Sequence, residues 1–169
     1  STKSREQELF RLLPTLKEPT IIYCSSPDKA TELAARFSLH FAETLSSNDK
    51  KKFAANADMV EWIEANIHSE WSLVHCLMHG IASHHGLIPR HLGSSIVDAF
   101  NAGQIRYMFC TATLIEGVNT TARNVVLFDR RKGLKPIDFF DYKNIVGRSG
   151  LMKIHYIGKV FEFHKEPDQ

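Results

Sequence analysis

Cysteine is scarce in this 169-residue chain, and its three examples, Cys24, Cys76 and Cys110, are too few and too scattered for a disulfide framework. Two of them close apolar runs that read as buried strands, so reduced thiols and a cytoplasmic setting are expected. Long hydrophobic runs are missing as well. None approaches the ~20 apolar residues that cross a bilayer, which excludes a spanning helix and makes a membrane an unexpected partner. No charged-then-apolar leader opens the chain. Neither sign of charge dominates: 21 Lys and Arg against 19 Asp and Glu leave a net charge of +2, too small by itself to demonstrate a polyanionic partner. The motifs GxxxxGK[ST], DExH, DExD, GxGxxG and CxxC do not occur. Their absence excludes a self-contained phosphate loop, a dinucleotide fingerprint and a paired-cysteine zinc site.

What is present is ordinary soluble-protein material, 43% hydrophobic and 24% charged. A chain of this length can bury on the order of 70% of its unfolded surface, so one domain spanning 1–169, monomeric and without covalent staples, is expected. The start at Ser1, without a methionine, reads as a fragment of a longer protein.

Strands and helices alternate along it. A polar, helix-prone lead over 4–13 precedes "TIIYC" (20–24), a β-branched apolar run that predicts a strand buried on both faces. Ser26 as N-cap and Pro27 at the first helical position then open a helix with Leu33, Phe37 and Phe41 on one face. From about 48 to 79 the pattern stays helical, predicting a helical insertion in which Trp62 and Trp71 serve packing. "GIASHHG" (80–86) predicts a strand, and 88–103 a helix opened by Pro89 and stopped by Gly103. "IRYMFC" (105–110) and "NVVLF" (124–128) predict further buried strands, 137–146 a helix, and "IGKVFEF" (157–163) a final strand. The expected class is α/β, a three-layer domain with a mostly parallel sheet flanked by helices. Ligands of such sheets bind beyond the carboxyl ends of the strands.

Four segments meet that criterion: "YCSSP", "SHHGLIPR", "CTATLIEGVN" and "NIVGRSG". In three of them a strand runs directly into small hydroxyl or glycine residues at a helix entry, where free N–H groups and the helix dipole favour an anion such as phosphate. Ser25, Ser26, Thr111 and Thr113 serve either such an anion or simply the helix N-caps. His75, His79, His84 and His85 fall close together, but no completing ligand motif accompanies them, and no metal site is expected. A basic cluster, Arg123, Arg130, Arg131, Lys132 and Lys135, contains a single acid, Asp129.

The run "YMFCTATLIEGVNTTARNVVLFD", preceded by "GIASHHGLIPR" and followed by "NIVGRSG", resembles the second, C-terminal RecA-like domain of superfamily 2 (DEAD/DEAH-box) helicases, the Ski2-like branch above all. "TIIYCSS" is similar to motif IV, "HHGLIPR" to motif IVa, "TATLIEGVN" to motif V and "NIVGRSG" to motif VI, in the family's order. The resemblance implies a RecA-like fold and a motor half that acts on ATP together with the N-terminal RecA-like domain of the same chain, which would supply the phosphate loop and most of the Mg2+ ligands. It further implies a DNA or RNA partner, single-stranded, held by Ser25, Ser26, His85, Arg90, Thr111 and Thr113. Gly117, Asn119, Asn144 and Gly147 would line the nucleotide. Arg148 would stabilise charge on the transferring phosphoryl group and is the expected catalytic residue.

The motif VI pattern usually carries a second arginine where this chain has Leu151. Either Arg148 acts alone, Lys153 substitutes poorly, or catalysis is weakened. A nucleic-acid-binding or scaffolding module with a decayed motor is therefore the alternative function.

Overall fold

The computed structural model of the protein describes residues 2–68, 71–112, 114, 120–129 and 152–158. Five parallel strands form one sheet in the order β2-β3-β1-β4-β5. They are β1 (Thr20–Tyr23), β2 (Ile81–His84), β3 (Tyr107–Cys110), β4 (Asn124–Leu127) and β5 (Lys153–Tyr156). The register is continuous across the centre, with Tyr23 opposite both Cys110 and Leu127, and Cys110 also opposite His84. Strands β1, β3 and β4 are buried along their whole length, because their apolar side chains feed both faces of the sheet.

Alternation along each strand sorts the core into two layers. Ile21, Tyr23, Met108, Cys110, Val125 and Leu127 enter one layer, with Leu92, Ile96 and Phe100 of α6 (Arg90–Asn101). Ile22, Cys24, Tyr107, Phe109, Val126 and Phe128 enter the other, with Leu9 of α1 (Thr2–Leu12) and Leu33, Phe37 and Phe41 of α2 (Pro27–Phe41). That second layer holds a ring stack: Tyr107 meets Phe37 and Phe41 edge-on at 5.3 and 5.2 Å between centroids. Truncating one such fully buried ring to alanine would cost about 3–5 kcal/mol.

Helix α2 begins where the sequence predicts it. Ser26 is the N-cap, its Oγ accepting from the Lys29 N–H at 3.2 Å, and Pro27 follows. Between α2 and β2 lie α3 (Ser47–Phe53), α4 (Ala57–Asn66) and α5 (Trp71–Leu77), the helical stretch expected there. A capping box opens α3, with Ser46 accepting from the Asp49 N–H and the Asp49 carboxylate accepting from the Ser46 N–H. Buried Asn56 ties the end of α5 to the connection between α6 and β3 by donating to the carbonyls of Leu77 and Gln104, both at 2.8 Å.

Two expectations need correction. Trp62 is not a core residue: it is 38% exposed on α4 and meets His91 edge-on at 4.7 Å, while Ile63, one position or ~100° further round the helix, enters the core. The strand Lys153–Tyr156 was not expected, and most of the strand predicted over 157–163 lies outside the described residues. Lys153 and His155 interrupt its apolar pattern, and positive-φ Gly158 follows it; residues from 159 onward, like the helix predicted over 137–146, lie outside the described residues. Among the described residues no helix is long and apolar enough to cross a membrane.

Candidate nucleic-acid interface

The carboxyl ends of four strands stand side by side, and the residues after them continue the ladder. Cys24 N–H donates to the Cys110 carbonyl at 2.8 Å, Thr111 N–H to the His84 carbonyl at 3.3 Å, and Phe128 N–H to the Tyr23 carbonyl at 3.2 Å. One edge thus carries His84 and His85 from β2, Thr111 from β3, Ser25 and Ser26 from β1 and Asp129 from β4. The sequence-predicted residues Ser25, Ser26, His85, Arg90 and Thr111 gather on this edge. Thr113, Gly117, Asn119, Asn144, Gly147 and Arg148 lie outside the described residues, as do Leu151 and the side chain of Trp71.

Ser25 donates from both its backbone N–H and its Oγ to Oδ2 of Asp129, at 2.9 and 3.1 Å. Oδ1 of the same carboxylate faces the Arg5 guanidinium at 3.4 Å. Arg5 also lies over the Phe128 ring, 4.9 Å from its centroid. Asp129 is 3% exposed, and this anion fills the donor pair that the sequence offers to a phosphate. Sequence reasoning missed both Asp129 and Arg5. The signal for Asp129 was an acid directly after a fully apolar strand; for Arg5, on a polar lead helix, there was none.

The two histidines at the end of β2 differ in setting. His85, expected to contact a phosphate backbone, is buried. Its Nδ1 accepts from the Leu87 N–H at 3.2 Å and its Nε2 lies 3.5 Å from Oγ1 of Thr31 on α2. His84 is half-buried, and its buried Nδ1 has no hydrogen-bond partner among the described residues. A Cβ placed on Gly93 of α6 would come within 3.0 Å of His84 Nε2, so the glycine lets helix and histidine approach. Burial lowers both pKa values; His85 further lowers that of His84, while Asp28 partly offsets the effect at His85. Arg90, at the first position of α6, is exposed.

Thr111 is 8% exposed. The nearby thiols are not reactive groups: burial pushes Cys24 and Cys110 well above the ordinary thiol value, with Cys110 and Asp129 adding to the effect at Cys24. Lys153 starts β5, paired with Asn124 at the amino end of β4, so it stands at the end of the sheet opposite Ser25 and Thr111. Arg123 also sits at that opposite end, 3.7 Å from Glu18, which separates it from Asp129 by the length of β4. No group of three or more His, Cys, Asp or Glu suited to a metal ion occurs among the described residues.

No protein-family profile matches the chain. Anti-bacteriophage protein B of Escherichia coli K12 is 36% identical over 166 residues, covering 98% of this chain and 22% of that protein. The ATP-dependent DNA helicase Hel308 of Methanocella arvoryzae is 23% identical over 155 residues, covering 88% of this chain and 21% of the helicase. The chain is similar to superfamily 2 helicases. The crystal structure of a DEAD box protein from the hyperthermophile Methanococcus jannaschii superposes with a TM-score of 0.59 over 96% of this chain and 35% of that one, at 15% identity, which shows the RecA-like fold. The chain spans about a fifth of the length of these two relatives.

Proposed function

We propose that this chain is the second RecA-like domain of an ATP-dependent nucleic-acid helicase, working with an N-terminal RecA-like domain to hydrolyse ATP and hold a single strand of DNA or RNA. The observation that carries the reading is the shared edge: the segments resembling motifs IV and IVa and the first residues of that resembling motif V, Thr111 and Ala112, meet at the carboxyl ends of adjacent parallel strands. Contacts there would be to sugar and phosphate, because a translocating motor cannot depend on base identity. ATP and Mg2+ belong to the proposal through Arg148 and its neighbours and through the partner domain. A single domain lacking a phosphate loop has little with which to position a γ-phosphate. The relation to anti-bacteriophage protein B adds defence against phage as the biological setting to be tested.

Titration with single-stranded oligonucleotides at two salt concentrations tests the reading. Weak, sequence-insensitive binding that falls steeply with salt is expected. Affinity independent of salt, or strong preference for one base sequence, would overturn it. ATP turnover by this chain alone should not exceed that of buffer; turnover without loss of binding in a full-length protein would separate the motor from the decayed binding module.

A further inference from the structure

His85 sits in the β2–α6 connection as a side-chain acceptor two residues ahead of its donor. Accepting the Leu87 N–H at Nδ1 places the proton of the neutral ring on Nε2, which then points at Oγ1 of Thr31. The main chain of the same turn is closed by the Ile88 N–H donating to the His85 carbonyl at 3.2 Å. Directly beyond lie Leu87, 76% exposed, and Arg90, exposed on the first turn of α6. With 6% exposure and both ring nitrogens directed at internal groups, His85 is built to hold the turn rather than to reach a ligand.

We infer that His85 is a positioning residue: its unprotonated Nδ1 fixes the Leu87 amide and the turn leading to Arg90, so that nucleic-acid binding at this edge requires the neutral imidazole. This rests on the nucleic-acid reading above. Protonation would replace the acceptor at Nδ1 with a second donor facing the Leu87 N–H, and the turn would lose its side-chain bond. The groups facing the ring are Asp28 and Thr31 on α2 and His84 on β2; Asp28 favours the charged ring, whereas burial disfavours it. A histidine in direct contact with phosphate would show the opposite sign, binding more tightly once charged.

Asparagine separates the two, since its side-chain oxygen can accept from the N–H two residues on and does not titrate. In His85→Asn, oligo-dT affinity at pH 7.5 should stay within about twofold of wild type, and the loss on acidification attributable to residue 85 should vanish. His85→Ala should bind about five- to tenfold more weakly than wild type at pH 7.5, the range for one lost hydrogen bond, and show no further loss attributable to residue 85 on acidification, with melting curves reporting whether it is folded. The amide resonance of Leu87, followed by NMR in this chain, should shift with the same midpoint as the His85 ring. An amide indifferent to that titration would overturn the inference without any reference to nucleic acid. So would a His85→Asn protein that fails to gain affinity on acidification where wild type gains it, for then the imidazolium is the contact. If neither protein binds oligonucleotide at either pH while the Leu87 amide still follows His85, the inferred binding requirement falls together with the function it rests on.

Discussion

Asp129 joins the ends of β4 and β1 by accepting twice from Ser25, at 2.9 Å from its N–H and 3.1 Å from its Oγ. The second oxygen faces Arg5, so three donors converge on one buried carboxylate. Replacing it by alanine leaves the Ser25 N–H and hydroxyl and a partly buried guanidinium without the acceptor they share. Asp129→Ala should therefore destabilise the fold by about 2–3 kcal/mol, measured by urea denaturation, with Arg5→Ala costing less because Arg5 retains access to water.

Gly80 has a φ of +76°, and a Cβ there would lie 2.4 Å from Cζ of the buried Phe53 ring. Left-handed backbone and overpacking act together at this position. Gly80→Ala is expected to cost about 2–4 kcal/mol, and Phe53→Leu should recover part of it. Full additivity of the two changes in thermal melts would contradict the contact.

The Arg106 guanidinium meets Asp49 at 2.7 Å and lies over the Phe53 ring. Its hydrogen bond and charge hold the Asp49 carboxyl below the usual range, against the opposing effect of burial. Stability from this shift is fully present above the unfolded value of about 3.9 and is lost as pH falls through the folded one. Asp49→Asn should cost roughly 0.5–1 kcal/mol at neutral pH after solvent screening. The difference from wild type should disappear in strong acid.

Four histidines, His79, His84, His85 and His155, are held below the ordinary imidazole value chiefly by burial. The unfolded chain binds their protons first. Stability is complete above about pH 6.5 and declines as pH falls through the folded values. The melting temperature should thus be lower at pH 5.5 than at pH 7.5, while a melting temperature that rises on acidification would contradict the burial seen here.

Arg148 and Leu151 bear on turnover in a full-length protein. Arg148→Ala should lower it by about 10³-fold or more if the guanidinium acts on the transferring phosphoryl group, and Leu151→Arg should raise it. Unchanged turnover in both folded variants would favour the binding module.

The central sheet was readable because β1, β3 and β4 are unbroken apolar runs, and α2 because Ser26 and Pro27 mark its start. Strand β5 was not legible because Lys153 and His155 hide it within a polar-looking stretch at the edge of the sheet. Which of two adjacent histidines faces inward is a matter of one residue of strand phase, and HisHis supplies no contrast to set it. Asp129 and Arg5 are separated by 124 positions, and only the folded chain brings them together.

The division of aromatic residues between the two layers gives the molecule separate optical reporters. Phe37, Phe41 and Tyr107 stack on the α2 side of the sheet, whereas Trp62 rests against His91 on the α6 side. With Trp71 and every tyrosine except Tyr107 replaced by phenylalanine, Trp62 emission would follow one layer and the near-ultraviolet signal of Tyr107 the other. Coincident transitions would show that the sheet couples the layers into one cooperative unit; transitions that separate would identify which side opens first when the strand-end edge is disturbed.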